Sequence, residues 1–263
     1  MARFEGGDAT VIRLSFNTKV RLTQFAGIVA LLGLLEVMTR TGRIDTLTAA
    51  PPTRILQRVL EMAMEGKIWS ELYATLFDIG SALTLAIAAG LVIGVFLWYR
   101  SRIYDAIAPY LTAYYAIPIF AFYPALISIF GLNHIPIVLI GAGYAVVAII
   151  VSTVTGLRAT PRIFVRVARS YGISPATAFR RIYLRAAAPS IFGGIRLGAS
   201  YALVGVIASE FILSPGGLGY LVGFNYNNFN TLDLYATLVI IIAIATLFTS
   251  IFSKLERKAR RNG

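Results

Sequence analysis

The chain reads as an all-α membrane protein of about six transmembrane helices, carrying one structured basic loop on its inner side. Three observations predict this. Of 263 residues, 57% are hydrophobic and only 14% charged, and the mean hydropathy is +0.75, far from a soluble domain. Apolar runs long enough to cross a bilayer recur along the sequence. The cations behind the net charge of +12 flank those runs, so they orient spans in a membrane and do not point to nucleic acid. There is no Cys, which excludes disulfides and thiolate metal sites.

Six spans can be drawn in order, at about residues 22–38, 73–98, 110–130, 135–157, 187–213 and 234–253. The first is short and carries Glu36. A cleaved signal peptide would read the same way, with Thr48-Ala49-Ala50 behind it, but 21 residues precede the apolar stretch, long for a signal's leading region. A retained helix is the expectation. The chain divides into 1–68 (N-terminal cytoplasmic segment, first span and external linker), 69–257 (membrane domain) and 258–263 (basic tail). His134, the single histidine, stands in the short loop before Ile135-Pro136 and reads as an ordinary loop residue.

Charge sets the orientation. With both termini cytoplasmic, the inner segments hold Arg3, Arg13, Lys19, Arg21, Arg100, Arg102, seven loop arginines and Lys254, Arg257, Lys258, Arg260 and Arg261. The outer segments hold Arg40, Arg43, Arg54, Arg58 and Lys67, diluted by Asp45, Glu61, Glu65 and Glu71. The reverse orientation would export the arginine loop, against the positive-inside bias.

That loop contains seven arginines from Arg158 to Arg185 and no Asp or Glu. Thr160-Pro161 reads as an N-cap followed by proline at the first helical position, and Gly172 as a helix stop. Ser174-Pro175 repeats the start signal for a second helix, in which Phe179, Ile182 and Tyr183 share one face. Two short helices broken at a glycine suit docking to a soluble protein or lying on anionic headgroups, and composition does not choose between them.

The stretch resembles the cytoplasmic loop signature of permease subunits of ATP-binding-cassette importers, of the nitrate/sulfonate/taurine type. It is carried by Arg166-Val167-Ala168, Gly172 and Ile182-Tyr183-Leu184-Arg185. The likeness runs from about 69 to 257, through Ile117-Pro118, Pro124, Phe130-Gly131, Phe179-Arg180-Arg181, Pro189, Gly194-Ile195-Arg196-Leu197, Glu210-Phe211 and Gly217-Leu218-Gly219-Tyr220. Arg166 stands where the pattern has Glu, and Arg185 where it has Pro. The resemblance implies a type I importer permease: a transport subunit of the bacterial inner membrane. It also implies separate ATPase subunits, a second permease subunit (the same chain or another) and a periplasmic or lipid-anchored binding protein. In the family the short helix after the glycine is the coupling helix, so Arg166, Ala168, Gly172, Ser174, Phe179, Arg180, Arg181 and Ile182 become the ATPase-coupling candidates. Consistent with a separate ATPase, no glycine cluster is followed by the Lys of a phosphate loop.

Charges within the spans are the other candidates, because a charge at the bilayer centre costs at least about 2.5 kcal/mol. Asp78 and Glu210 lie near outer helix ends, where water or a partner is in reach. Arg196 is deeper and reads either as an attractor for an anionic solute or as a structural cation reaching the interface. Gly90-x-x-x-Gly94 and Gly194-x-x-x-Gly198, extended to Ala202, place small residues on single helix faces, for subunit contact or packing within the chain. No cluster of catalytic or metal-binding groups and no internal repeat stands out, which disfavours an intramembrane enzyme and a secondary transporter. The resemblance implies a small organic or inorganic anion, sulfonate-, nitrate- or taurine-like, as the solute. The aromatics Tyr110, Tyr114, Tyr115, Phe120, Phe122 and Tyr123 keep open an aromatic or heterocyclic solute such as a vitamin precursor.

Overall fold

The computed structural model describes residues 16–45 and 47–262, and its regular structure is helical throughout. Arg3 and Arg13 lie outside the described residues, as do the side chains of Lys19, Arg21, Arg260 and Arg261. The helices are α1 (Phe16–Arg40), α2 (Pro52–Glu65), α3 (Lys67–Tyr99), α4 (Ser101–Ala113), α5 (Tyr123–Phe130), α6 (His134–Arg158), α7 (Arg162–Ser170), α8 (Pro175–Ala178), α9 (Leu184–Ile212), α10 (Leu218–Asn227) and α11 (Thr231–Asn262).

Helix α6 is the axis of the molecule. The Asn133 side chain caps it by accepting from the Ile135 N–H at 2.8 Å. Ile137, Ala145, Ile149 and Val154 along it are fully enclosed, because α3 and α9 both pack against it and against each other. The small-residue stripes make that packing possible. A Cβ at Gly90 or Gly94 would fall 2.8 Å from Ile149 or Thr153, and one at Gly198 3.1 Å from Ile149. Gly194 meets Ser152 as closely, and Ala202 is wholly buried. Both stripes therefore serve packing within the chain, where dispersion between close backbones replaces a hydrophobic drive.

Among the described residues, four helices are long and apolar enough to cross a membrane, Lys67–Tyr99, His134–Arg158, Pro175–Ile212 and Thr231–Lys258, or five if one bent pair counts as a span. The span expected at 110–130 is not a single rod. The segments Ser101–Ala116 and Ile119–Phe130 meet at 80°, since Ile117, preceding Pro118, is extended at φ −86, ψ 122 and a residue before proline is driven out of the helical region. The Tyr114 hydroxyl pins the bend by donating to the Gly143 carbonyl at 2.8 Å. Helix α1 covers the expected first span but is not among these four.

At the end of the bundle opposite the arginine loop, α2 lies across the start of α11. The Arg58 Nε donates to Asp233 at 2.6 Å and its Nη1 to Glu65 at 2.6 Å. These two hydrogen bonds, Asp233 first, raise the guanidinium pKa above its already high ordinary value. The stretch around Thr48-Ala49-Ala50 is held there too, with Ala50 buried and the Thr48 carbonyl accepting from Tyr235 at 3.0 Å.

Candidate functional site

The arginine loop folds as the sequence proposes in outline and differs in two details. Gly172 adopts φ +66 with nothing near its absent Cβ, the left-handed conformation that lets α7 stop and the chain turn back. Ser174 caps α8, accepting from the Thr177 N–H at 3.3 Å. At the other start, however, Pro161 and not Thr160 occupies the N-cap position; the Thr160 hydroxyl is buried and makes no hydrogen bond. The second difference is continuity. The helix after Gly172 is no separate element, because α8 passes through one π turn (Phe179–Tyr183) directly into α9. The free-standing short helix of the loop is α7, before the glycine.

The face of Phe179, Ile182 and Tyr183 turns inward. The Trp98 ring at the end of α3 lies 5.7 Å from Phe179 and 4.9 Å from Tyr183, so these side chains brace the loop against the bundle. Ala168 is buried and Ile182 half-buried, while Arg166, Gly172, Ser174, Arg180 and Arg181 are exposed. Helix α7 displays Ile163 at 59%, Phe164 at 54% and Val167 at 46% exposure, large apolar side chains that sequence reasoning did not single out. The loop thus presents exposed apolar groups beside arginines.

The opposite end holds the acidic candidates. Glu210 is buried and does not reach water. Its Oε2 accepts from Thr75 Oγ1 and from the Gly219 N–H, both at 2.9 Å. Thr75 Oγ1 in turn accepts from the Leu218 N–H at 2.8 Å, and Glu71 Oε2 from the Gly217 N–H at 2.5 Å. Two carboxylates and a hydroxyl therefore satisfy the first amides of α10, where the helix dipole favours negative charge. The glycines allow it: Gly217 has φ +105, and a Cβ on Gly219 would stand 2.5 Å from the Ile207 carbonyl oxygen. Asp78, also buried, faces His134 Nδ1 at 2.9 Å. The single histidine is thus the first residue of α6 and the partner of an intramembrane carboxylate, which spacing alone did not reveal. Arg196 pairs with Glu256 of α11 at 3.2 Å. Of the aromatic group, Tyr123 is core, Tyr115 stacks on Tyr201 at 5.2 Å, and Tyr110 and Phe122 are exposed.

The described residues form a helical bundle of membrane length with an arginine-rich knuckle at one end. The comparisons give the family: residues 86–261 match the binding-protein-dependent transport system inner membrane component, and the chain belongs to it. A probable ABC transporter permease protein of Haemophilus influenzae is 29% identical over 91% of this chain and 98% of its own length. The taurine transport system permease protein TauC of Escherichia coli is 26% identical over 82% and 80%. The formylaminopyrimidine transport permease protein ThiX of Halalkalibacterium halodurans is 26% identical over 78% and 82%. The fold matches an inward-facing MetNI methionine ABC transporter chain with a TM-score of 0.61 at 17% identity, over 71% of this chain and 93% of that one. The protein is the multi-pass permease subunit of an ABC importer, not an enzyme; membership implies an ATPase and a substrate-binding protein as partners.

Proposed function

We propose that the 160–185 loop couples a separate ATPase to solute movement, that both termini are cytoplasmic, and that a second permease subunit completes the path. The observation that carries the coupling is the left-handed Gly172 between α7 and a capped helix continuous with a membrane span. A push on the loop is delivered to α9 without a flexible joint. In this reading α7 and the exposed Arg180 and Arg181 meet the ATPase, Ala168, Phe179 and Ile182 seat the loop on α3, and Gly172 and Ser174 set the turn. Arg166 adds a cation where the family pattern has Glu.

For the solute, the taurine relative supports a small organic anion. The ion pair of Arg196 with Glu256 favours the second reading, a planar heterocycle, because this cation already has an anion; the Tyr115–Tyr201 ring contact offers ring surface instead. Uptake competition between taurine and a pyrimidine decides between the two.

Gly172→Val tests the coupling. A β-branched residue tolerates φ +66 poorly, so the turn re-forms and α7 is misaimed, while the spans are untouched. Normal membrane insertion with transport lost, and with ATPase activity no longer responding to loaded binding protein, is the expected result. Full uptake by this variant would remove the loop from the mechanism.

A further inference from the structure

Two adjoining grooves lie where α3 and α6 end, and the docking of α7 leaves them open. The first, 660 Å³, is lined by Val95, Phe96, Trp98, Tyr99, Ile173 and Phe179 among other largely apolar groups. The second, 390 Å³, is lined by Arg158, Thr160, Arg162, Arg166 and Arg169. They share Trp98, Val165, Arg169 and Tyr183, so the apolar trough opens directly onto the cationic one. No carboxylate lines either.

Arg162, Arg166 and Arg169 recur at helical spacing along one side of α7. Their guanidinium groups make no ion pair among the described residues, whereas Arg158 is engaged by Asp105 at 2.8 Å. Thr160 lines the same groove at 7% exposure, with its hydroxyl lacking any hydrogen-bond partner. A buried hydroxyl normally has one, and three fork-shaped donors lining the same groove suit the oxygens of a phosphate.

We infer that this double groove binds one anionic phospholipid from the leaflet bordering the loop, its phosphate on Arg162, Arg166, Arg169 and Thr160 and one acyl chain along Trp98 and Phe179. Charge complementarity selects an anion, and the apolar trough at the level of the span ends selects one with a hydrocarbon tail. The lipid would fill the space under α7 and fix its angle to α3. This goes beyond coupling to the ATPase, and lipid retention is measured without transport.

The test is native mass spectrometry of the assembled transporter taken from phosphatidylcholine vesicles doped with phosphatidylglycerol. One phosphatidylglycerol should be retained per copy of this chain, in preference to phosphatidylcholine. Each of Arg162→Gln, Arg166→Gln and Arg169→Gln should weaken retention about fivefold. Thr160→Val should weaken it with the arginines intact, and Ala176→Trp should do so by filling the trough. The double variant Arg180→Gln/Arg181→Gln, outside both grooves, should leave retention within about twofold, whereas general adsorption to a basic surface predicts a loss like that of the α7 arginines. Equal retention of the two lipids, or unchanged retention in the triple α7 variant, would overturn the proposal. So would displacement by millimolar inorganic phosphate, which would make this a soluble-anion site. Lipid found only on complexes stripped of the ATPase would assign the groove to an acidic segment of that partner.

Discussion

Arg196 sits in a largely apolar helix and finds its counter-ion on α11, where Glu256 is only 8% exposed. Removing one member of such a pair leaves a desolvated charge behind, while removing both can be nearly neutral. Arg196→Leu should therefore lower stability in detergent by about 1–3 kcal/mol, discounted because the Arg196 side chain is 46% exposed. Arg196→Leu/Glu256→Leu should recover most of that loss. A thermal-unfolding double-mutant cycle reads this directly, and additive losses would dissolve the pair. The Glu210 carboxylate carries a different burden, since it accepts two hydrogen bonds inside the protein. Glu210→Gln keeps an acceptor for Thr75 and Gly219 and should remain close to native in membrane yield. Glu210→Ala leaves those donors unmet, at about 1–3 kcal/mol, and should express poorly.

Among the elements, the long spans were legible because an apolar run of bilayer length has few readings, and Gly172 and Ser174 were legible because turn and cap chemistry is local. The bend between α4 and α5 was written in Ile117-Pro118, but a window of hydropathy averages across it. The inward turn of Phe179 and Tyr183 depends on Trp98, some eighty positions away, and the Asp78–His134 and Arg196–Glu256 pairs likewise join distant segments, so periodicity could not show them. The same holds for α10: its glycines were visible as a motif, while their purpose depends on Glu210 and the Ile207 carbonyl. That purpose can be tested. Gly219→Ala places a Cβ 2.5 Å from a backbone oxygen and 2.6 Å from the Glu210 Cβ, neither of which can swing away as a side-chain tip could. The α9–α10 corner should open, and limited proteolysis should cut around Ser214 in the variant and not in the native chain. An unchanged cleavage pattern would mean that the corner adapts.

On the scale of the molecule, the bundle separates two kinds of charge. Trp98, the Arg158–Asp105 pair, the arginine loop and the Arg196–Glu256 pair gather towards one end. The α10 clasp of Glu71 and Glu210, the Asp78–His134 pair and the Arg58–Asp233 bridge occupy the other. The proposed orientation rests on the positive-inside bias, because the seven loop arginines carry no neighbouring acids in sequence. The absence of native Cys makes this a clean measurement. Ser174 and Asn228 are both exposed and lie at opposite ends of α9 and its continuation into α10, so single cysteines at either position are chemically reachable and differ only in side. With a membrane-impermeant maleimide on intact cells, Asn228→Cys should label and Ser174→Cys should be protected until the cells are opened. Labelling of Ser174→Cys in intact cells would invert the protein, place the loop beyond the reach of any cytoplasmic ATPase, and leave the knuckle without the partner its shape implies.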